Sequence, residues 1–173
     1  MKAIILIFIV FLVACNLPTA EREPYIGTVN GEYMPLSIYM IYLQEQIEHF
    51  ERIGGTSIWD IREFVGTQTA EQIAMEHALK NMALSLIIRN ISEENNIFAS
   101  EFESSDDPNK EFFNESIAIR KALMHYLTAA YAADSEEIFL NMEEAWLEEA
   151  IIIRNISEWD EIRAEWDEIR EGR

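Results

Sequence analysis

The stretch Thr69-Ala-Glu-Gln72-Ile-Ala-Met-Glu-His-Ala-Leu-Lys-Asn-Met-Ala-Leu-Ser-Leu-Ile-Ile-Arg89 decides the fold. Thr69 and Gln72 stand three apart, the capping-box spacing in which each side chain satisfies a free backbone N–H of the other. Neither proline nor glycine interrupts the residues that follow. Towards the end the apolar residues Met82, Ala83, Leu84, Leu86, Ile87 and Ile88 point to most sides of a helix rather than one stripe. A helix that is apolar nearly all round is buried nearly all round. The pattern predicts a long helix through the middle of the core, ending near Arg89.

On the N-terminal side, Ile26 to Met34 holds Asn30-Gly31 between β-forming residues, the signal for a hairpin with a two-residue turn. From Pro35 the period becomes helical, with Leu36, Tyr39, Met40, Leu43, Ile47 and Phe50 on one face and Gly54-Gly55 as the stop. Ser57-Ile-Trp-Asp60 reads as the start of a short helix to Phe64. On the C-terminal side, Asn90 suits the left-handed residue after a helix, and Ser92 with Glu93 and Glu94 reads as the start of another, ending near Phe102. After a loop at 104–109, Asp107-Pro108 opens a helix to about Ala133 whose stripe includes Phe113, Ile117, Met124, Leu127 and Tyr131. A last helical stretch runs from Ser135 to Glu171 with a break at Asn155-Ile156-Ser157. The expected fold is all-α, mainly a helical bundle, with one short N-terminal β-hairpin.

Two internal echoes stand out. Leu86-Ile-Ile-Arg-Asn-Ile-Ser-Glu93 recurs as Ile151-Ile-Ile-Arg-Asn-Ile-Ser-Glu158, which reads as one helix-stop, helix-start device used twice. Glu158-Trp-Asp-Glu-Ile-Arg-Ala164 is followed by Glu165-Trp-Asp-Glu-Ile-Arg-Glu171, setting Trp159, Ile162, Trp166 and Ile169 at heptad spacing. Two heptads are too few for a coiled coil on their own. That stripe either docks on the chain's own core or meets a partner.

The first residues carry a localisation signal. Lys2 precedes an apolar run from Ala3 to Val13, and Leu12-Val13-Ala14-Cys15 follows, with Asn16, Leu17 and Pro18 closing it. The run falls well short of the ~20 residues that cross a bilayer. It reads as a cleavable signal peptide over 1–14, with a lipid on Cys15 and a tether over 15–24 rich in polar residues and proline. One cysteine also excludes an intrachain disulfide. Removing residues 1–14 leaves 12 basic against 32 acidic side chains, a formal charge of −20. Nucleic acid and an anionic bilayer are thereby poor partners, so attachment rests on the lipid. The expected location is the cell envelope, lipid-anchored and outside the cytoplasm. The remaining 25–173 form one helical domain.

Catalytic chemistry is not evident. His49, His77 and His125 never stand three or four apart, and Glu48-His49 and Glu76-His77 are adjacent rather than spaced for a di-iron bundle. No serine sits in a Gly-x-Ser-x-Gly turn, and glycine-rich phosphate loops are missing. No cofactor or metal is expected. The glutamate pairs at 143/144 and 148/149 read as a solvated helix face.

The segment Gly27-Thr-Val-Asn-Gly-Glu-Tyr-Met-Pro-Leu-Ser-Ile-Tyr-Met-Ile-Tyr-Leu43, together with Ala78-Leu79, Met82, Leu86-Ile87-Ile88 and Ile91-Ser92-Glu93-Glu94, resembles the N-terminal chaperone domain of the SurA and PrsA foldases. The likeness covers about residues 25–103 and implies a SurA-type, trigger-factor-like peptide-binding fold. The chain departs from that family after residue 103, because the acidic helices expected over 107–171 hold no glycine from which a parvulin sheet could turn. The resemblance implies a non-enzymatic chaperone for unfolded envelope proteins. Flexible and aromatic side chains would then form the site, with Met40, Trp59, Met75, Met82, Phe112, Phe113, Met124, Tyr131 and Trp146 as candidates. The alternatives are an adaptor lipoprotein binding one folded partner through Trp159, Ile162, Trp166 and Ile169, and a degenerate prolyl isomerase.

Overall fold

The computed structural model describes residues 23–131 and 135–171. Cys15, where the lipid is expected, lies outside them. The chain is mainly helical with a short N-terminal antiparallel strand pair. Strands β1 (Tyr25–Val29) and β2 (Glu32–Pro35) pair with Thr28 opposite Tyr33 and Val29 opposite Glu32. Asn30 and Gly31 both take positive φ, 51° and 87°, as the tight turn between right-twisted strands requires.

Helix α1 (Leu36–Gly54) leaves the hairpin at once and buries Tyr39, Tyr42, Leu43, Ile47 and Phe50. Gly55 ends it at φ 66°, its N–H returning to the Glu51 carbonyl at 2.8 Å. The short helix expected through Phe64 is only a 3₁₀ turn over Thr56–Asp60, with Ile58 turned inward. An isolated bridge between Val65 and Gln68 then leads to helix α2 (Ala70–Glu94). Both halves of the capping box form, Gln72 N–H to Thr69 Oγ1 at 3.2 Å and Thr69 N–H to Gln72 Oε1 at 3.0 Å.

Helix α2 does not stop at Arg89. It continues through Asn90 and Ser92 to Glu94, and the helix expected from Ser92 to Phe102 is absent. Asn90 is helical and exposed, while Ser92 is buried in the last turns and its hydroxyl has no hydrogen-bond partner. Extending an existing helix fixes one residue per added hydrogen bond, whereas starting a new one carries the nucleation cost. Burial of Leu86, Ile87 and Ile88 adds to that advantage and overrides the capping tendencies of Asn90 and Ser92. The left-handed residue is Asn96 instead, at φ 58°. Residues 95–107 run without regular structure to α3 (Pro108–Tyr131), with Pro108 in its first position.

Helix α4 (Ser135–Glu149) is followed by a third strand, β3 (Ile152–Arg154), then α5 (Ile156–Ala164) and α6 (Trp166–Glu171). Strand β3 lies antiparallel on the free side of β1, giving the order β2-β1-β3. A single hairpin was expected from the sequence, and the third strand corrects that. It forms because β1 leaves one edge of backbone donors and acceptors open, and the chain returns there after α4. Gly27 permits the approach, since a side chain at that position would meet the Ile153 carbonyl oxygen at 2.4 Å.

The main core lies between α1, α2, β1 and the C-terminal helices. Trp159, Ile162 and Trp166 are buried there and Ile169 packs against it, so the heptad stripe lies against the chain's own interior. Trp59 stacks on Phe50 at 5.7 Å and meets Trp166 edge-on at 5.3 Å. A second, smaller cluster gathers Ile88, Ile97, Ile119, Leu123 and Phe139 where α2, α3 and α4 converge.

Candidate functional site

Helices α1 to α4 leave a cleft of about 350 Å³ between them. Tyr42, Glu45 and Gln46 come from α1, and Asn81, Leu84, Ser85 and Ile88 from α2. Phe113, Ile117 and Arg120 come from α3, and Glu143 from α4. Positions three and four apart share a helix face, which is why Phe113, Ile117 and Arg120 line it together. Its lining combines apolar Leu84, Ile88, Phe113 and Ile117 with the carboxylates of Glu45 and Glu143 and the amides of Gln46 and Asn81.

Two fixed polar contacts shape the cleft. The Tyr42 hydroxyl lies 2.8 Å from Ser85 Oγ, and its ring meets Phe113 edge-to-face at 4.9 Å. Burial raises the Tyr42 phenol above its ordinary range, with hydrogen bonds to Ser85 and Ser116 acting the other way. Arg120 grips Glu143 in a fork, Nε at 2.5 Å and Nη2 at 2.6 Å, and its guanidinium lies 5.3 Å from the centre of the Phe139 ring. The hydrogen bond to Glu143 holds the Arg120 pKa above its usual value against the opposing effect of burial. Glu143 is only 5% exposed, so the solvated face expected for Glu143 and Glu144 holds for Glu144 alone. The pairing spans α3 and α4, a separation invisible to helix periodicity.

A second groove of about 380 Å³ lies between Ser100–Glu103 and α3, bounded by Asn114, Ala118, Lys121, Ala122 and His125. Asn114 Nδ2 donates to the Glu103 carbonyl at 2.8 Å and ties the irregular segment to the helix. Ile117 lines both hollows and remains 41% exposed, so it forms the ridge between them. A third hollow of about 370 Å³ holds Arg154 and Arg163 beside Gln68, Gln72 and Trp159. Arg154 there is bonded to Glu76 and lies over the Trp159 ring at 4.7 Å.

Of the nine side chains singled out from the sequence, Phe113 alone lines the four-helix cleft. Met75 and Met82 are fully buried, and Met40, Phe112 and Trp146 are half-buried against the main cluster. Trp59 is occupied by its stack on Phe50 and an indole N–H bond to Glu51 at 3.0 Å. Met124 packs on the second cluster, and the side chain of Tyr131 lies outside the described part. The cleft residues that the sequence did not single out, Tyr42, Ser85, Arg120 and Glu143, belong to four different helices. The cleft residues that carried a sequence signal are apolar, Phe113 and Ile117 in the α3 stripe and Leu84 and Ile88 in the apolar end of α2.

Among the described residues no group of three or more His, Cys, Asp or Glu is arranged to hold a metal ion. None of their helices is long and apolar enough to cross a membrane. The cleft offers shape, apolar surface and fixed hydrogen-bonding groups, which suit binding. No protein-family model, curated protein or solved structure matches the chain.

Proposed function

We propose that this protein is an envelope lipoprotein, anchored through Cys15, that holds extended apolar stretches of unfolded secreted polypeptides without catalysing a reaction. The observation that carries the reading is the pair of hollows meeting at Ile117, an exposed aliphatic ridge flanked by Phe113 on one side and Ala118 and Ala122 on the other. Alternating side chains of an extended segment would seat in hollows of this kind, with backbone amides facing the Glu45 carboxylate and the Gln46 and Asn81 amides. The large excess of acidic over basic side chains favours clients with basic flanks and keeps the loaded protein soluble. The Leu-Val-Ala-Cys15 motif and the SurA/PrsA-like N-terminal segment support the same reading, since an envelope anchor and a chaperone-like segment both suit a protein that meets unfolded secreted chains.

The test is suppression of aggregation of a denatured envelope protein by the full chain and by Ile117→Glu. The wild type is expected to suppress at near-equimolar ratio and the variant to lose most of that effect while retaining its helical circular dichroism. Equal suppression by both would overturn the cleft as the site. Cys15→Ser is expected to release the protein from the membrane fraction, and retention there would overturn the anchor.

A further inference from the structure

We infer that β3 is a displaceable occupant of the β1 edge, and that an extended aliphatic segment of a client takes its place by strand exchange. This rests on reading the protein as one that binds unfolded chains, and it assigns the main-chain half of that binding to the sheet rather than the cleft.

The grounds are an identity and a difference. Ile151–Glu158 matches Leu86–Glu93 at seven of eight positions, yet Leu86–Glu93 is helix and Ile151–Glu158 is a strand followed by the start of a helix. The same residues are therefore competent for helix in this protein. In α2 the three aliphatic side chains are spent on the core, with Leu86 at 6%, Ile87 at 9% and Ile88 at 1% exposure. In the strand copy Ile151 and Ile153 remain 66% and 61% exposed and only Ile152 packs inward. Little apolar burial holds β3 in place.

What holds it is main-chain pairing that any strand can supply, together with the Arg154 side chain, bonded to Glu76 and lying over Trp159, which a segment with a basic end can replace. Asn30 N–H reaches the Ile151 carbonyl at 2.9 Å, and Asn155 N–H reaches the Ile26 carbonyl at 2.8 Å. Two bonds involving asparagine side chains flank these, Ile151 N–H to Asn30 Oδ1 at 2.9 Å and Asn155 Nδ2 to the Tyr25 carbonyl at 3.0 Å. Only six residues separate the end of α4 at Glu149 from the start of α5 at Ile156. Trp146, Leu147, Glu148 and Glu149 lead into them without a helix breaker. Once off the sheet, 150–155 can join α4 and α5 as continuous helix, the state its twin already adopts. An incoming strand then satisfies the vacated donors and acceptors of Ile26, Thr28 and Asn30, as in strand addition to an open sheet edge. Gly27 gives that strand the same close approach that it gives Ile153.

The occupant is specified by the one it replaces, an extended run of β-branched aliphatic residues with a basic end that suits an acidic protein. The probe is the fluorescently labelled peptide Ala-Ile-Ile-Ile-Arg-Asn, the sequence of residues 150–155. Val29 and Ile152 are cross-strand partners at a non-hydrogen-bonded position, where Cα atoms lie about 4.5 Å apart and a disulfide fits. In the full chain with Cys15→Ser, Val29→Cys and Ile152→Cys, oxidation is expected to abolish peptide binding and reduction to restore it, read by fluorescence anisotropy. In the full chain with Ile153→Ala and Asn155→Ala, which favours helix over strand, the peptide is expected to bind about tenfold more tightly because the open state is more populated.

Equal binding by the oxidised and reduced forms would overturn the exchange, as would a dimer of the Ile153→Ala, Asn155→Ala chain that excludes the peptide and assigns the edge to a second copy. Strand exchange and the cleft reading fail separately. If the oxidised chain still suppresses aggregation in full, exchange falls and the cleft stands. If binding of the peptide follows the disulfide while Ile117→Glu suppresses as well as wild type, the cleft falls and exchange stands.

Discussion

Leu86–Glu93 and Ile151–Glu158 differ by one methyl position, leucine against isoleucine, and end in different secondary structures. The first copy enters its eight residues as the continuation of a helix begun sixteen positions earlier at Ala70, so propagation is favourable at each step. It also sits between α1, α3 and α4, where a helix can bury several of its sides. The second copy follows α4 at the solvent boundary, and the nearest unsatisfied structure is the open edge of β1. Arg89 and Arg154 show the same contrast. Arg89 pairs with Glu115 of α3 at 2.7 Å and covers the Phe112 ring, whereas Arg154 pairs with Glu76 of α2 and covers Trp159. Local sequence offers both conformations, and the neighbours select one.

The sharpest way to break the comparison is to truncate the third aliphatic residue of each copy. Ile88→Ala empties a site 1% exposed and is expected to lower unfolding free energy by about 3 kcal/mol. Ile153→Ala, at a site 61% exposed, is expected to cost less than about 1 kcal/mol. Urea unfolding followed by circular dichroism measures both, and equal costs would remove the basis for calling one copy core and the other edge.

Gly27→Ala acts on the strand copy alone. Its new methyl meets the Ile153 carbonyl at an impossible distance against backbone, so β3 must shift, at about 2 kcal/mol. Amide exchange should quicken at 151–155 and stay slow at 86–93; matched quickening in both would contradict the assignment.

The asparagines give a smaller contrast. Asn155→Ala loses the bond from Nδ2 to the Tyr25 carbonyl and is expected to cost about 1 kcal/mol. Asn90→Ala removes an exposed bond to Glu32 but improves helix propensity, so its effect should lie within about 0.5 kcal/mol of zero. Thermal denaturation separates the two, and a reversed order would show that Asn90 acts as a helix stop after all.

The smallest effect comes from Ile151→Leu, which makes the copies identical. At a site 66% exposed, stability should change by less than about 0.5 kcal/mol, and backbone chemical shifts should still report strand at 152–154. Helix at those positions would mean that the single side chain, and not the neighbours, makes the choice.

Much of the frame was legible in local chemistry. The turn at Asn30-Gly31, the glycine stop at Gly55 and the Thr69/Gln72 box are each fixed by interactions within a few residues, and each appears where the pattern puts it. The helix stop signalled at Asn90 and the helix start signalled at Ser92 are both overridden, and α2 runs through them to Glu94. Capping residues act locally, and here the burial of Leu86, Ile87, Ile88 and Ser92 outweighs them. The cleft was scarcely legible at all. Its polar contacts, Tyr42 with Ser85 and Arg120 with Glu143, join residues 43 and 23 positions apart on different helices.

By itself, then, the sequence determined the helical class, the hairpin, most helix starts and the acidic character, because period, capping and charge are properties of short stretches. Tertiary structure decided which of two nearly identical segments became helix and which strand, and which tryptophans and glutamates became interior. Those outcomes depend on which surface lies nearest when the segment settles, and that surface is built by residues remote in the chain.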